Sequence, residues 1–325
     1  MRNYFIIFMV GLVLSALFIF LLRKISQKRK ILFSQNIPLV GGLGIGAAFI
    51  IACVLFVAGS LSKEMLGMIF SSSIILILGV LDDWRELTIV AKLIVQLIAT
   101  SFLIYFGVKT QIVYIGNLAN ILVTLIWIIG ITNAFNLLDI IDGLAAGVAL
   151  ISAAALFLIA FLNNDVQSAF VLAALIGAIS GFLIYNLPPA KVYMGNCGSH
   201  FLGFIIAAVT LVIHYATLEK KIALISPLLI LGFVIFDVLF LILMRIGNKK
   251  NPLKKSKDHL ALRFMAMGYS KKKVLGLMLM LSFMFSISGV LMSQVSNAWG
   301  VAIICFIVLV SLTIAVKLKK VKVAS

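Results

Sequence analysis

The stretch NAFNLLDIIDGLAAG, residues 133–147, sets Asn133, Asn136, Asp139 and Asp142 at the edge of an otherwise apolar run. Ionisable groups at membrane depth are costly and usually mark function. Positions 136, 139 and 142 are three apart, so a helical segment would turn one amide and two carboxylates toward one spot. The bland alternative is a polar seam between packed helices, with Gly143 and Gly147 as close-contact residues.

Three further segments carry residues of similar chemical promise. In LDDWRELTIVAKLIVQ, adjacent Asp82 and Asp83 are followed by Lys92. Paired carboxylates beside a lysine suit a divalent cation with a phosphate, because hard cations take oxygen ligands and keep substrate phosphates in their shell. A solvated loop with a helix-capping aspartate reads equally well from that segment alone. In YNLPPAKVYMGNCGSHFLGF, Pro188 and Pro189 break the chain, and Gly195, Asn196, Gly198 and Ser199 open the next helix, whose free N–H groups are expected to suit a phosphate. The fourth segment, residues 246–273, is the longest polar loop, and its DHLALR run spaces His259 and Arg263 four apart, on one helical face if helical. Arginine suits bidentate phosphate recognition, and histidine suits proton transfer or phosphate contact.

The elements that must position these groups are membrane helices. Apolar residues make up 63% of 325 and the mean hydropathy is +1.24, which excludes an ordinary soluble domain. Runs long enough to cross a bilayer, roughly 17 to 25 residues each, fall at 4–22, 39–59, 66–82, 93–107, 118–135, 143–162, 167–186, 199–215, 222–244, 274–293 and 298–316. The expected fold is an all-α polytopic membrane protein of about eleven transmembrane helices, one domain over 1–325. The first apolar run ends in a basic cluster and not in a small-residue cleavage site, so it reads as a retained span.

Of the 27 Lys and Arg residues, 22 fall on one set of loops and the C-terminal tail. The positive-inside rule makes that side cytoplasmic, with the N-terminus outside and the C-terminus inside. The formal charge of +17 then reads as topology signal and affinity for anionic lipids, and no nucleic-acid partner is expected. Seven of the ten acids, Asp82, Asp83, Glu86, Asp139, Asp142, Asp237 and Asp258, map to the cytoplasmic side, whereas a proton or ion pump would carry carboxylates near the midplane. Cys53, Cys197 and Cys305 are scattered and suggest neither disulfides nor zinc.

Together the motifs resemble those of the polyprenyl-phosphate N-acetylhexosamine-1-phosphate transferases (glycosyl transferase family 4), which include undecaprenyl-phosphate GlcNAc-1-phosphate transferases and phospho-MurNAc-pentapeptide transferases. The resemblance spans IPLVGG at 37–42, the Asp82–Asp83 pair with Lys92, NAFNLLDIIDGL, NLPPAKVYMGNCGS, Pro227 with Asp237, and the loop containing DHLALR. It implies transfer of HexNAc-1-phosphate from a UDP-sugar, UDP-GlcNAc or a related UDP-HexNAc, to a polyprenyl phosphate such as undecaprenyl phosphate. The products would be UMP and a polyprenyl-diphosphate sugar that starts a cell-envelope polysaccharide. The site would lie on the cytoplasmic face of a bacterial-type inner membrane, built from loops 23–38, 82–92, 133–142, 186–198 and 245–273.

By the same resemblance, Asp142, Tyr193 and Asn133 hold the nucleotide, with Asp142 bonding the uracil and Tyr193 stacking on it. Asn136 and Asn196 match metal-ligand positions for Mg2+, or Mn2+ as a substitute, and Asp139 supplements them. Lys92, His259 and Arg263 contact phosphates. Asp82 or Asp83 orients or deprotonates the acceptor; direct attack is favoured over a two-step route through a carboxylate nucleophile. Two departures stand out. Asn196 replaces the family's aspartate ligand, removing one formal charge although its carbonyl can still ligate. In the histidine-rich run only His259 and Arg263 remain. These departures keep open a catalytically impaired paralogue that binds nucleotide sugar or lipid; a lipid-linked-sugar transporter is the other alternative. The sugar, the lipid chain length and the oligomeric state, a homodimer included, are not readable from the sequence.

Overall fold

The computed structural model describes residues 2–57, 62–215, 221–247, 249 and 258–321, so most of the lysine-rich stretch 250–257 lies outside the described residues. The chain divides into two compact units, Met1–His214 and Tyr215–Ser325, where the sequence reading has one.

The first unit contains α1 (Arg2–Arg29), a two-residue hairpin of β1 (Phe33–Ser34) and β2 (Ile37–Pro38), α2 (Gly41–Val57), α3 (Lys63–Trp84), α4 (Ile89–Tyr105), α5 (Gly116–Leu138), α6 (Leu144–Leu162), α7 (Val166–Asn186) and α8 (Gly195–Thr210). The second contains a 3-10 turn (Lys221–Ile225), α9 (Ser226–Ile230), α10 (Gly232–Gly247), α11 (Leu260–Ala266), α12 (Lys271–Gln294) and α13 (Asn297–Lys319). Among the described residues, α1, α3, α5, α6, α7, α12 and α13 are long and apolar enough to cross a membrane. The chain is an all-α polytopic membrane protein with one minimal hairpin.

Three expectations about elements change. Helix α1 runs on through its basic cluster to Arg29, because Arg and Lys are good helix formers and nothing breaks the chain there. The run 222–244 is not one straight span: it bends by 66° between Ile230 and Gly232. Helix α5 stops at Leu138, so Asn136, Asp139 and Asp142 do not share a helical face. Asp139 caps α5, and Gly143 sits in the left-handed region at φ 77°, a conformation glycine adopts without steric cost.

Helix α8 is the centre of the first unit, buried from Cys197 to Thr210 and packed against α2, α3, α5 and α6. Its opening turn threads between two glycines. A Cβ on Gly42 of α2 would lie 2.1 Å from the Gly198 nitrogen, and one on Gly79 of α3 would lie 2.2 Å from the Cys197 Cα. The hairpin, turned by Gln35 and Asn36 at φ 50° and 65°, delivers the chain to the same place. There Tyr193 N–H donates to the Pro38 carbonyl, while Gly41 and Gly42 N–H donate to the carbonyls of Tyr193 and Met194. The 37–42 motif is thus the clamp that holds the strand leading into α8.

Candidate active site

Helix α8 opens without a side-chain cap of its own, since Met194 at the cap position offers no acceptor. Asp83, in the last turn of α3, supplies it. Its Oδ1 accepts the Asn196 N–H at 2.8 Å and its Oδ2 accepts the Cys197 N–H at 3.0 Å. A carboxylate there satisfies two otherwise orphaned donors and lies at the positive end of the helix dipole. The amides that the sequence assigns to a phosphate are therefore taken by Asp83. Gly195 makes room, with φ +71° and a Cβ position only 2.4 Å from the Asp83 Oδ2.

Asp82 faces the other way and is buried. Its Oδ1 accepts the Leu87 N–H at 2.8 Å, and its Oδ2 is 2.6 Å from Lys92 Nζ, so the expected pair of neighbours resolves into two different tasks. Lys92 lies in the first turn of α4, which Thr88 caps by accepting the Ala91 N–H at 3.2 Å. The lysine side chain stays 18% exposed, so its ammonium can meet a further anion without leaving Asp82.

In the 133–142 segment the residues part company. Asn133 donates to Gln96 Oε1 at 2.7 Å and to the Ile129 carbonyl at 2.8 Å, with Gln96 Nε2 returning toward its Oδ1 at 3.5 Å. Gln96 is fully buried, so this amide pair is a polar lock between α4 and α5 that engages the Asn133 side chain which the resemblance assigns to the nucleotide. Asp142 takes the Ala190 N–H at 3.1 Å, while Gly143 N–H donates to Asn186 Oδ1 at 2.9 Å and Asn186 Nδ2 to the Val192 carbonyl at 2.9 Å. Those bonds fasten the aspartate turn to the loop bearing Tyr193. Burial, and then the charge of Asp142, raise the Tyr193 phenol above its ordinary 10.0.

Asp139 is pushed up to about 7 by burial first, then by the charges of Asp83 and Asp142. Negative charge therefore converges here while the neighbouring cation, Lys92, is committed to Asp82. Among the described residues, no three His, Cys, Asp or Glu side chains could hold a metal ion by themselves. The donors that remain are oxygens: Asp139, the carbonyl of Asn136 and the side chain of Asn196, which bonds no described residue. An all-oxygen set with one carboxylate fits a hard cation such as Mg2+ better than zinc or copper.

Asn136 lies in the last turn of α5 beside α8. Its Oδ1 is 3.1 Å from Ser199 Oγ, and its Nδ2 is 3.3 Å from Nε2 of His200. His200, 1% exposed, also reaches the Asn196 carbonyl through Nδ1 at 2.8 Å. His200, Asn186 and Gln96 carry no role in the sequence reading, and Ser199 enters it only as part of the turn that opens the helix. A polar residue four after Asn196 in an apolar helix was the available signal for His200.

In the second unit, His259 is not on a helical face with Arg263. It is the extended N-cap of the short α11, and its Nδ1 donates to Asp237 Oδ2 at 2.8 Å while Asp237 Oδ1 accepts the Leu260 N–H at 3.0 Å. Arg263, 3% exposed, bonds Asp258 Oδ1 at 2.7 Å and the carbonyls of Leu318 and Val321 at 3.0 and 2.6 Å. Its fork is filled by the C-terminal end of α13, an arrangement that favours a cation. The guanidinium to which the resemblance assigns a phosphate contact caps the end of α13 in this structure.

Comparison with known proteins decides the family. A sequence model described as glycosyl transferase family 4 matches residues 65–214. A probable undecaprenyl-phosphate N-acetylglucosaminyl 1-phosphate transferase of Bacillus subtilis is 33% identical over 286 residues, covering 85% of this chain and 79% of the relative. The chain belongs to glycosyl transferase family 4. A decaprenyl-phosphate N-acetylglucosaminephosphotransferase of Mycobacterium leprae is 31% identical, covering 73% of this chain and 68% of the relative. An undecaprenyl-phosphate alpha-N-acetylglucosaminyl 1-phosphate transferase of Thermotoga maritima is 30% identical, covering 78% and 77%. These family members are phosphotransferases by name. The stretch matched by the family model ends at the boundary of the first unit and contains every site residue named above except His259 and Arg263.

Proposed function

We propose that this family 4 enzyme transfers HexNAc-1-phosphate from a UDP-sugar, UDP-GlcNAc or a related UDP-HexNAc, to a polyprenyl phosphate such as undecaprenyl phosphate. A phosphate oxygen of the lipid attacks the β-phosphorus of the donor, the bond to the α-phosphate oxygen breaks, and UMP leaves. The product is a polyprenyl-diphosphate sugar that initiates a cell-envelope polysaccharide. The observation that carries this reading is the seating of Asp83 on the amides of Asn196 and Cys197, which draws the LDDWRELTIVAK and NLPPAKVYMGNCGS segments into one charged spot beside Asp139.

Each residue has a task consistent with its surroundings. Lys92, held by Asp82 and partly exposed, offers positive charge to the phosphates. Asp82 orients that lysine, and Asp83 fixes the loop that presents Asn196. Tyr193 offers a ring for the uracil and Asp142 an acceptor for its N–H, on two turns that Asn186 ties together. Asn136, Asp139 and Asn196 would hold Mg2+, which when bound supplies charge that screens the repulsion between donor diphosphate and acceptor phosphate. Acceptor phosphate is already a nucleophile near neutral pH, so direct displacement needs no strong base.

The seven long helices, the bent pair and three shorter apolar helices together make eleven candidate crossings, an odd number that suits an N-terminus outside and a C-terminus inside. With 22 of 27 basic residues on one side, the site faces the cytoplasm, where UDP-sugars are soluble. Purified protein with undecaprenyl phosphate, magnesium and a panel of UDP-sugars should release UMP with at least one UDP-HexNAc. Tight UDP-GlcNAc binding without UMP release under any of these conditions would instead favour the binding-only paralogue that Asn196 motivates.

A further inference from the structure

We propose that His200 is a positioning residue that turns the side-chain carbonyl of Asn136 toward the cation. The inference rests on the reading of Asn136 as a metal ligand. The Asn196 carbonyl, 2.8 Å from Nδ1, can only accept, so Nδ1 carries the hydrogen. In a neutral imidazole Nε2 is then a bare lone pair. The group 3.3 Å away must be a donor, which fixes the Nδ2 end of Asn136 against the ring and leaves Oδ1 on the far side of the amide.

Oδ1 is met there by Ser199 Oγ at 3.1 Å, but that hydroxyl has a single hydrogen and lies equally close, at 3.1 Å, to the Gly195 carbonyl. Ser199 can thus hand its hydrogen to Gly195 and leave Oδ1 to a cation. The imidazole is buried and fixed at both nitrogens, so it cannot rotate to offer the amide a different edge. Its bonds to Asn136 and to the Asn196 carbonyl place the ring against both amides of the proposed cation site. A neutral amide differs from a carboxylate in a way that makes this orientation decisive: only one of its two ends can ligate. A site in which amides replace charged ligands depends on the group that decides which end faces the metal. Outer-shell partners of this kind typically contribute about 10- to 100-fold in metal affinity.

The test uses Mn2+ bound to the full-length protein in detergent, without substrates, read by electron paramagnetic resonance. His200→Leu should weaken Mn2+ binding on the order of tenfold or more. His200→Gln, whose Oε1 can take the place of Nε2, should stay within about twofold of wild type, while His200→Asn, which reaches only the Asn196 carbonyl, should weaken binding like leucine. In an Asn136→Asp background both ends of the side chain ligate, so His200→Leu should add no further loss. Near-UV circular dichroism checks the fold of each variant; if leucine does not fold, the glutamine–asparagine contrast carries the test alone. Equal Mn2+ affinity for the glutamine and asparagine variants, or an undiminished leucine effect in the Asn136→Asp background, would overturn the role of His200. If Asn136→Ala binds Mn2+ as wild type does, both the role of His200 and the metal reading of Asn136 fall. Loss in Asn136→Ala with no loss in His200→Leu removes His200 alone.

Discussion

The carboxylate of Asp83 sits across the opening turn of α8 and accepts the main-chain N–H of Asn196 at 2.8 Å. Two residues 113 positions apart are thereby held in one geometry, and the second oxygen repeats the bond at Cys197. Asp83→Asn replaces one acceptor by an NH2 group that meets an N–H donor head on. Hydrogen bonds to charged groups contribute about 1.5 to 3 kcal/mol each, so the variant should lose roughly that much stability and at least about a hundredfold in transfer rate. Turnover within a few-fold of wild type, measured as UMP release, would make the Asp83 seat a matter of folding only.

Gly195 tests the same seat from the other side. Alanine there would have to hold φ +71° and place a methyl 2.4 Å from the Asp83 oxygen. The left-handed conformation alone costs about 1 to 2 kcal/mol for a residue with a Cβ, and the clash adds to it. Gly195→Ala should melt lower and transfer more slowly, whereas Gly130→Ala, with open space around it, should do neither.

The pair formed by Asp82 and Lys92 makes a different prediction. Lys92→Met leaves a buried carboxylate without its cation, a loss of about 3 to 5 kcal/mol in typical buried pairs. The double change Asp82→Asn with Lys92→Met should regain most of that stability in thermal melts yet remain inactive, because the lysine charge is still missing. Recovery of activity in the double variant would remove Lys92 from phosphate binding.

Asp139 should leave a mark on the pH dependence of stability. Its folded value of about 7 lies above its ordinary 3.8, so between those pH values the folded chain holds a proton that the unfolded chain has released. The resulting contribution to stability is full below 3.8 and is lost as pH rises through about 7. In magnesium-free buffer, the melting temperature of Asp139→Asn relative to wild type should therefore rise from pH 5 to pH 8. A constant difference would show that Asp139 does not carry the proton.

How far the sequence foretold this arrangement depends on the kind of residue. Apolar run lengths reveal spans, so α3, α5, α6, α7, α12 and α13 fall close to their expected places. The acids and the glycines near 195 were legible because charge and chain breaks stand out in an apolar sequence. What the sequence could not show was which donor meets which acceptor. Asn133 and Asn136 look alike on paper, but one faces Gln96 and the other His200, a difference set by the rotation of α5 between α4 and α8. The expected helical face through Asp139 and Asp142 fails because Gly143 lets the chain turn, and Arg263 is drawn to the end of α13, more than fifty residues away.

Asn196 bears on the metal requirement. With one less charge than an aspartate, it should hold magnesium weakly, and Asn196→Asp should lower the magnesium concentration needed for half-maximal transfer or reveal transfer if the natural chain lacks it. If Asp139 already supplies the charge, the added carboxylate will be neutral or harmful, and Asp139→Asn will raise that concentration. An unchanged magnesium dependence in both variants would exclude both residues from the metal site.

In the proposed reaction a phosphorus atom moves from nucleotide to lipid. The most direct measurement supplies UDP-GlcNAc labelled with 32P at the β-phosphate to purified protein with undecaprenyl phosphate and magnesium, then separates the organic phase. Label should appear in a lipid diphosphate with stoichiometric unlabelled UMP in the aqueous phase, and neither should appear with Asp83→Asn. Label that stays in the aqueous phase with wild-type protein, across UDP-GlcNAc and its HexNAc relatives, would contradict the proposed reaction.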